Sequence, residues 1–218
     1  AQRGFLLRTF CISAVFVAIY GIVELPWSVY TGWWREASYG RTSQPLSDFL
    51  SQGGLSLGIN AIIYGLFFTA VYALIRKAGR LWWLWSGVLT AGMISLLMLL
   101  APIFIEPLFN DYQPVPEGEV KTAIEAMAAD ANIPLDRIFM YDGSRQSNNF
   151  TANVSGIGSS ARIAISDVAL KDASLDEVMA VTGHEVGHYV LGHIWDIVGL
   201  LSAIIMASFF LADRIFNP

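Results

Sequence analysis

A single cysteine, Cys11, excludes an intrachain disulfide and any metal site built on thiolates. It lies in an apolar run and reads as a small buried hydrophobe. Basic residues are also few: 13 Lys and Arg against 18 Asp and Glu give a net charge of −5, and no basic stripe is present. Nucleic acid is thereby excluded as a partner. Charge of either sign is scarce, at 14% against 55% hydrophobic residues, and the mean hydropathy is +0.52. That balance lies far to the apolar side of soluble usage and implies a membrane protein. No internal repeat or low-complexity tract occurs.

The long apolar runs set the architecture. Arg3 and Arg8 precede the first run, which continues to Val29 with no cleavage site, so it reads as a span rather than a signal peptide. Spans are predicted at 9–29, 55–75, 81–105 and 194–216, each long enough to cross roughly 30 Å of hydrocarbon. Residues 30–54, with Trp33, Trp34, Arg35, Glu36 and Asp48, read as an interfacial loop with a short amphipathic helix. After the proline-rich stretch that starts at Glu106 the chain turns soluble in type. A helix is predicted over 117–131, strands over 137–141 and 162–166, and an extended edge strand over 151–157. Ser174 and Glu177 form a capping-box pattern that opens a further helix. The predicted fold is mostly α: a polytopic helical membrane protein (1–107 and 194–218) with a small α+β unit (108–193) inserted between spans.

Two of the three histidines lie four apart in His184-Glu185-Val186-Gly187-His188. On a helix, this spacing puts both imidazoles on one face, able to hold one zinc ion. Glu185 is then placed to act as general base on a water. A catalytic zinc needs a third protein ligand. On a continuous helix His193, nine residues from His184, falls on the opposite side and cannot join the pair. It reads as the point where the helix leaves the soluble unit for the bilayer. The metzincin pattern requires Gly at 191 and His at 194, whereas Leu191 and Ile194 stand there.

The stretch 182–193 resembles the zinc helix of the integral-membrane CAAX prenyl endopeptidases, a gluzincin-type family that includes HtpX-like membrane proteases. The 101–110 stretch is similar to that family's junction between span and protease domain. Further similarities are Leu25-Pro26 with Glu36, Gly40, Gln44 and Phe49, the 142–145 and 155–158 segments, and 162–167. The resemblance implies a zinc endopeptidase with one catalytic Zn2+ in a helical membrane chamber, the 108–193 unit being a zincin-like protease domain. It implies His184 and His188 as zinc ligands and Glu185 as catalytic base. Thr151, Ala152, Asn153, Val154 and Ser155 would line the cleft as the strand to which a peptide adds, although Thr151-Ala152-Asn153 departs from the family's usual Asn-Ala-Tyr type of stretch. The third ligand would be a Glu on a later helix, beyond Pro218, and the chain is expected to be incomplete at both ends. Substrates would be peptides or proteins, prenylated at a C-terminal cysteine or otherwise membrane-associated.

The resemblance also implies an active site on the cytoplasmic side of a bacterial inner membrane or the endoplasmic reticulum. The basic residues Arg76, Lys77 and Arg80, by the positive-inside rule, argue for the reverse orientation. Two other function classes are an inactive membrane scaffold that keeps the fold, and a transporter using Glu24 and Asp196. The transporter is disfavoured, because both acids lie near span ends and no broken-helix repeat is present.

Overall fold

A computed structural model describes residues 2–216, with side chains described except at 2, 3 and 159. The expected ligand beyond Pro218 lies outside the described residues, as does the end of the predicted 194–218 region. The chain divides into two compact units, Ala1–Glu36 with Pro45–Met93 and Gly199–Pro218, and Ala37–Gln44 with Ile94–Val198.

The first unit is built on long apolar helices. Helix α1 (Gln2–Ser28) packs on α3 (Leu46–Lys77) through glycines. A Cβ at Gly65 would lie 2.8 Å from Phe10 Cε2, and one at Gly21 would lie 2.5 Å from Leu57 Cδ1. Small residues thus let the backbones approach closely, which is how helices gain packing where lipid offers no hydrophobic contrast. The same device joins α4 (Trp82–Leu100) to α8 (His193–Phe216), where a Cβ on Gly87 would meet Met206 Cε at 2.6 Å. Buried Ser86 and Thr90 flank that contact. Asp213 is only 4% exposed, and Trp82 Nε1 donates to its Oδ1 at 2.6 Å. The carboxylate therefore has a polar partner where an unpaired one would be costly.

Among the described residues, four helical stretches are long and apolar enough to cross a membrane: Gly4–Ser38, Leu46–Lys77, Gly79–Leu108 and His193–Phe216. Apolar side chains along them face outward, Val23 and Ile215 being 74% and 75% exposed. The fold is a polytopic helical membrane protein with a small α+β unit. The helices run longer than the apolar runs suggested, and the loop expected at 30–54 contracts to 39–45. Helix α1 continues through a π-helical turn (Val29–Trp34) into the short α2 (Arg35–Ser38), and α3 begins at Leu46. Hydropathy reports the lipid-embedded part of a helix, whereas a 32-residue helix such as α3 is about 48 Å long and exceeds the hydrocarbon. Cys11 is exposed, not buried as expected.

The second unit carries a four-stranded sheet of order β1-β2-β4-β3. Its strands are β1 (Tyr112–Pro114), β2 (Ile138–Tyr141), β3 (Ala152–Ser155) and β4 (Arg162–Ser166). β4 runs parallel to β2 and antiparallel to β3. All five residues of β4 are buried, as suits a central strand covered on both faces. Helix α5 (Glu119–Asp130) adds Ile124 and Ala128 to a core with Ile133, Ile138, Ile163 and Ile165. Helix α7 (Leu175–Val190) closes the core with Val178 and Val186. Its capping box forms as the sequence indicated: Ser174 Oγ accepts from Glu177 N–H, and Ser174 N–H donates to Glu177 Oε2 at 2.8 Å. Between β4 and α7 the chain forms the short α6 (Asp167–Asp172), capped by Ser166 Oγ.

Polar clamps hold the approaches to this sheet. Arg162, 7% exposed, pairs with Glu106, lies 4.1 Å from the Tyr112 ring centroid, and donates from Nε to Ser155 Oγ at 3.2 Å. Tyr112 in turn donates its hydroxyl to Glu106 at 3.0 Å. Burial and the neighbouring Glu106 carboxylate raise the Tyr112 pKa. The 39–45 segment docks on the loop before β3: Thr42 Oγ1 donates to Gln146 O at 2.7 Å, and Asn148 N–H donates to Arg41 O at 2.8 Å.

Candidate active site

The site is built on the last two turns of α7. The capping box fixes the start of this helix, and Val178, Thr182 and Val186 recur at four-residue spacing on its buried face. His184 and His188 fall on the face opposite that core and are exposed, with Glu185 between them half-buried. Their Nε2 atoms converge to 3.0 Å, with the rings at 89° to each other. Two imidazoles on a tetrahedral zinc at 2.0–2.1 Å hold their nitrogens about 3.3 Å apart. A few tenths of an ångström of side-chain adjustment bridges the difference, so the donor pair fits a metal. No third Asp, Glu, His or Cys joins them in a metal-binding group among the described residues.

The structure corrects one element of the sequence reading. On a continuous helix His193 would lie on the side opposite His184, but the helix stops at Val190. Gly192 adopts φ +71°, a left-handed conformation that glycine takes without Cβ strain, and α8 restarts at His193. The turn brings His193 Nδ1 to 2.6 Å from His188 Nδ1. His193 thus reaches the site from behind His188, on the ring edge away from His184. Gly192 carried the only sequence signal for this, as a glycine four residues past His188, an expected metal ligand.

The predicted substrate segment lies next to α7. Ala152, Asn153, Val154 and Ser155 form β3, paired with Ile165, Ala164, Ile163 and Arg162 of β4. Thr151 sits just before the strand, yet its N–H donates to Ser166 Oγ at 3.0 Å and its carbonyl accepts from Ser166 N–H at 2.9 Å. Its hydroxyl also bonds to Tyr141 OH at 2.6 Å. β3 ends the sheet order, so its outer edge has no strand partner among the described residues. Asn153 Oδ1 is buried with no hydrogen-bond partner there. β3 therefore has one main-chain edge without a strand partner among the described residues, and it packs against α7.

Residues 1–111 match the family description "CAAX prenyl protease N-terminal, five membrane helices", and residues 114–216 match "Peptidase family M48". Among curated proteins, the uncharacterized metalloprotease YhfN of Bacillus subtilis is 30% identical over 213 residues, covering 97% of this chain and 49% of that protein. CAAX prenyl protease 1 of Saccharomyces cerevisiae is 29% identical over 194 residues, covering 88% of this chain and 42% of that protein. The crystal structure of S. mikatae Ste24p superposes with a TM-score of 0.86 at 28% identity, over 97% of this chain and 49% of that one. The chain spans about half the length of the relatives it matches. The first of these matches takes in just over half of the chain, which therefore belongs to the CAAX prenyl protease N-terminal family, and the stretch 114–216 after it is similar to peptidase family M48.

Proposed function

We propose that this protein is a zinc-dependent integral-membrane endopeptidase of the CAAX prenyl protease type. In this reading His184 and His188 hold the metal through Nε2, Glu185 is the general base, and β3 with Thr151 receives the substrate backbone. The observation that carries it is the convergence of the two Nε2 atoms at 3.0 Å on a helix packed beside an open strand edge. When bound, zinc supplies Lewis acidity that polarises a carbonyl and lowers the pKa of a water. The protein's own residues do the rest. A peptide laid along β3 in extended form pairs its main chain with the strand, which fixes the scissile bond against α7. Glu185 accepts a proton from the attacking water and returns it to the departing amine. Substrates in this reading are peptides or proteins at a membrane, ending near a prenylated cysteine or otherwise membrane-associated.

The same reading places the protein in a bacterial inner membrane or the endoplasmic reticulum, with the site on the cytoplasmic side. The family membership supports that side, and the basic 76–80 turn opposes it. Replacing Glu185 with Gln in the full-length protein tests the chemistry. Zinc should remain at one ion per protein while cleavage of a fluorogenic prenylated peptide falls about 100-fold or more. Retained turnover would overturn the role of Glu185, and a wild-type protein that holds zinc without cleaving any peptide would be a scaffold.

A further inference from the structure

We propose that His193 is a positioning residue for the metal site: it accepts a hydrogen bond from His188 and so fixes the tautomer that leaves Nε2 free for a metal. This rests on the assignment of His184 and His188 as metal ligands. The two nitrogens of His188 point to different partners. Nε2 lies 3.0 Å from His184 Nε2, and Nδ1 lies 2.6 Å from His193 Nδ1. A neutral imidazole carries one proton, and a ligand that binds metal through Nε2 must carry it on Nδ1. Across the 2.6 Å contact, His188 Nδ1–H then donates and His193 Nδ1 accepts, which puts the proton of His193 on its own Nε2. With the roles reversed, His188 would be protonated at Nε2 and closed to the metal. An acceptor at 193 therefore favours the tautomer of His188 that can bind metal.

The local backbone is shaped to make this contact. On an uninterrupted helix, a residue five positions on lies about 140° around the axis and about 7.5 Å along it, so the two rings would diverge. Instead Leu191 N–H donates to Gly187 O at 3.0 Å and Gly192 N–H to Tyr189 O at 3.1 Å, which ends α7. Gly192 breaks the helical path at φ +71°, and Trp195 N–H donates to Gly192 O at 2.9 Å as α8 begins. The ring centroids of His188 and His193 consequently lie 4.9 Å apart. Partners of this kind, which hold a metal-ligating histidine by its second nitrogen, change metal affinity 10- to 100-fold when lost.

The test is a set of full-length variants read by competition for Zn2+ against a chromogenic chelator and by the visible spectrum of the Co2+-loaded protein. His193→Ala should weaken Zn2+ binding 10- to 100-fold and alter the Co2+ bands. His193→Asn places a carbonyl oxygen close to where Nδ1 now sits, and should recover affinity to within about threefold of wild type. Wild-type affinity in His193→Ala overturns the proposal. So does a His193→Asn variant as weak as His193→Ala, since the ring's bulk and not its acceptor would then be what matters. A wild-type protein that takes up no Zn2+ overturns the proposal together with the metal reading beneath it, a pattern distinct from either of the others.

Discussion

Replacing Gly156 with Ala should open the corner that holds the candidate substrate strand. β3 ends at Ser155, the chain turns through residues 156–161, and β4 begins at Arg162 opposite Ser155. Gly156 has φ +83°, and a Cβ there would lie 2.3 Å from Ser160 O, 2.7 Å from Ser160 C and 3.1 Å from Ala161 N. All three atoms are main chain, so no rotamer change relieves the contact. The left-handed conformation alone costs a residue with a side chain about 1–2 kcal/mol. Forcing an extra carbon into a filled space adds about 1–3 kcal/mol. The sum, about 2–5 kcal/mol, corresponds to a factor of about 30 to several thousand in the local folding equilibrium. Gly158 is the control. Its φ is +57° and nothing lies within 4 Å of its would-be Cβ, so Gly158→Ala should cost only the backbone term. Hydrogen-exchange mass spectrometry of the 152–166 segment should show faster exchange in Gly156→Ala than in Gly158→Ala. Zinc affinity should change little in either, because the histidines stand on α7, while KM for a peptide should rise in Gly156→Ala. Equal exchange in the two variants would refute the steric argument.

Two further outcomes follow from the packing and the charges. Gly87→Leu drives a side chain into Met206, whose Cγ lies 2.9 Å from the would-be Cβ, and should lower the Tm in detergent by separating α4 from α8; an unchanged Tm refutes the contact. Glu177 has its pKa lowered from 4.5 by the Ser174 N–H and then by the Ser174 hydroxyl. A depressed folded-state pKa contributes stability that is complete above the ordinary carboxylate value and is lost as pH falls through the lowered one. The helix bearing the histidines should therefore loosen in acid below about pH 4.5, and Glu177→Gln should flatten that part of a stability–pH profile. A profile identical to wild type would remove Glu177 from the account.

The sequence was most legible where the pattern is local. Two His four apart with a Glu between them, on a helix opened by a Ser-x-x-Glu box, state both the face and the frame of the site, and α7 carries them so. The alternation at 162–166 announced β4, although the burial of all its residues depends on helices that no strand pattern reveals. β1 was missed because it is three residues long and ends in proline, a residue that suits an edge strand but reads as a break. Helix ends around residues 30–54 were misplaced for a related reason: polar residues such as Asp48 and Gln52 mark where a helix leaves hydrocarbon, not where it stops.

The case of His193 differs in kind. Periodicity arguments assume that one helix continues, and a nine-residue separation from His184 then settles the geometry against contact. One glycine in the left-handed region cancels that assumption for His188: a residue five positions on, which would lie about 140° around the axis, comes within hydrogen-bond distance of it. Gly192 is compatible with either outcome: glycine is tolerated inside helices at about 1 kcal/mol and is favoured just past their ends. What decides between them is non-local. The apolar helix His193–Phe216, long enough to cross a membrane, begins directly after Gly192. The residue at the break is thereby brought to Nδ1 of His188, so the start of an apolar helix helps to set the surroundings of a candidate metal ligand.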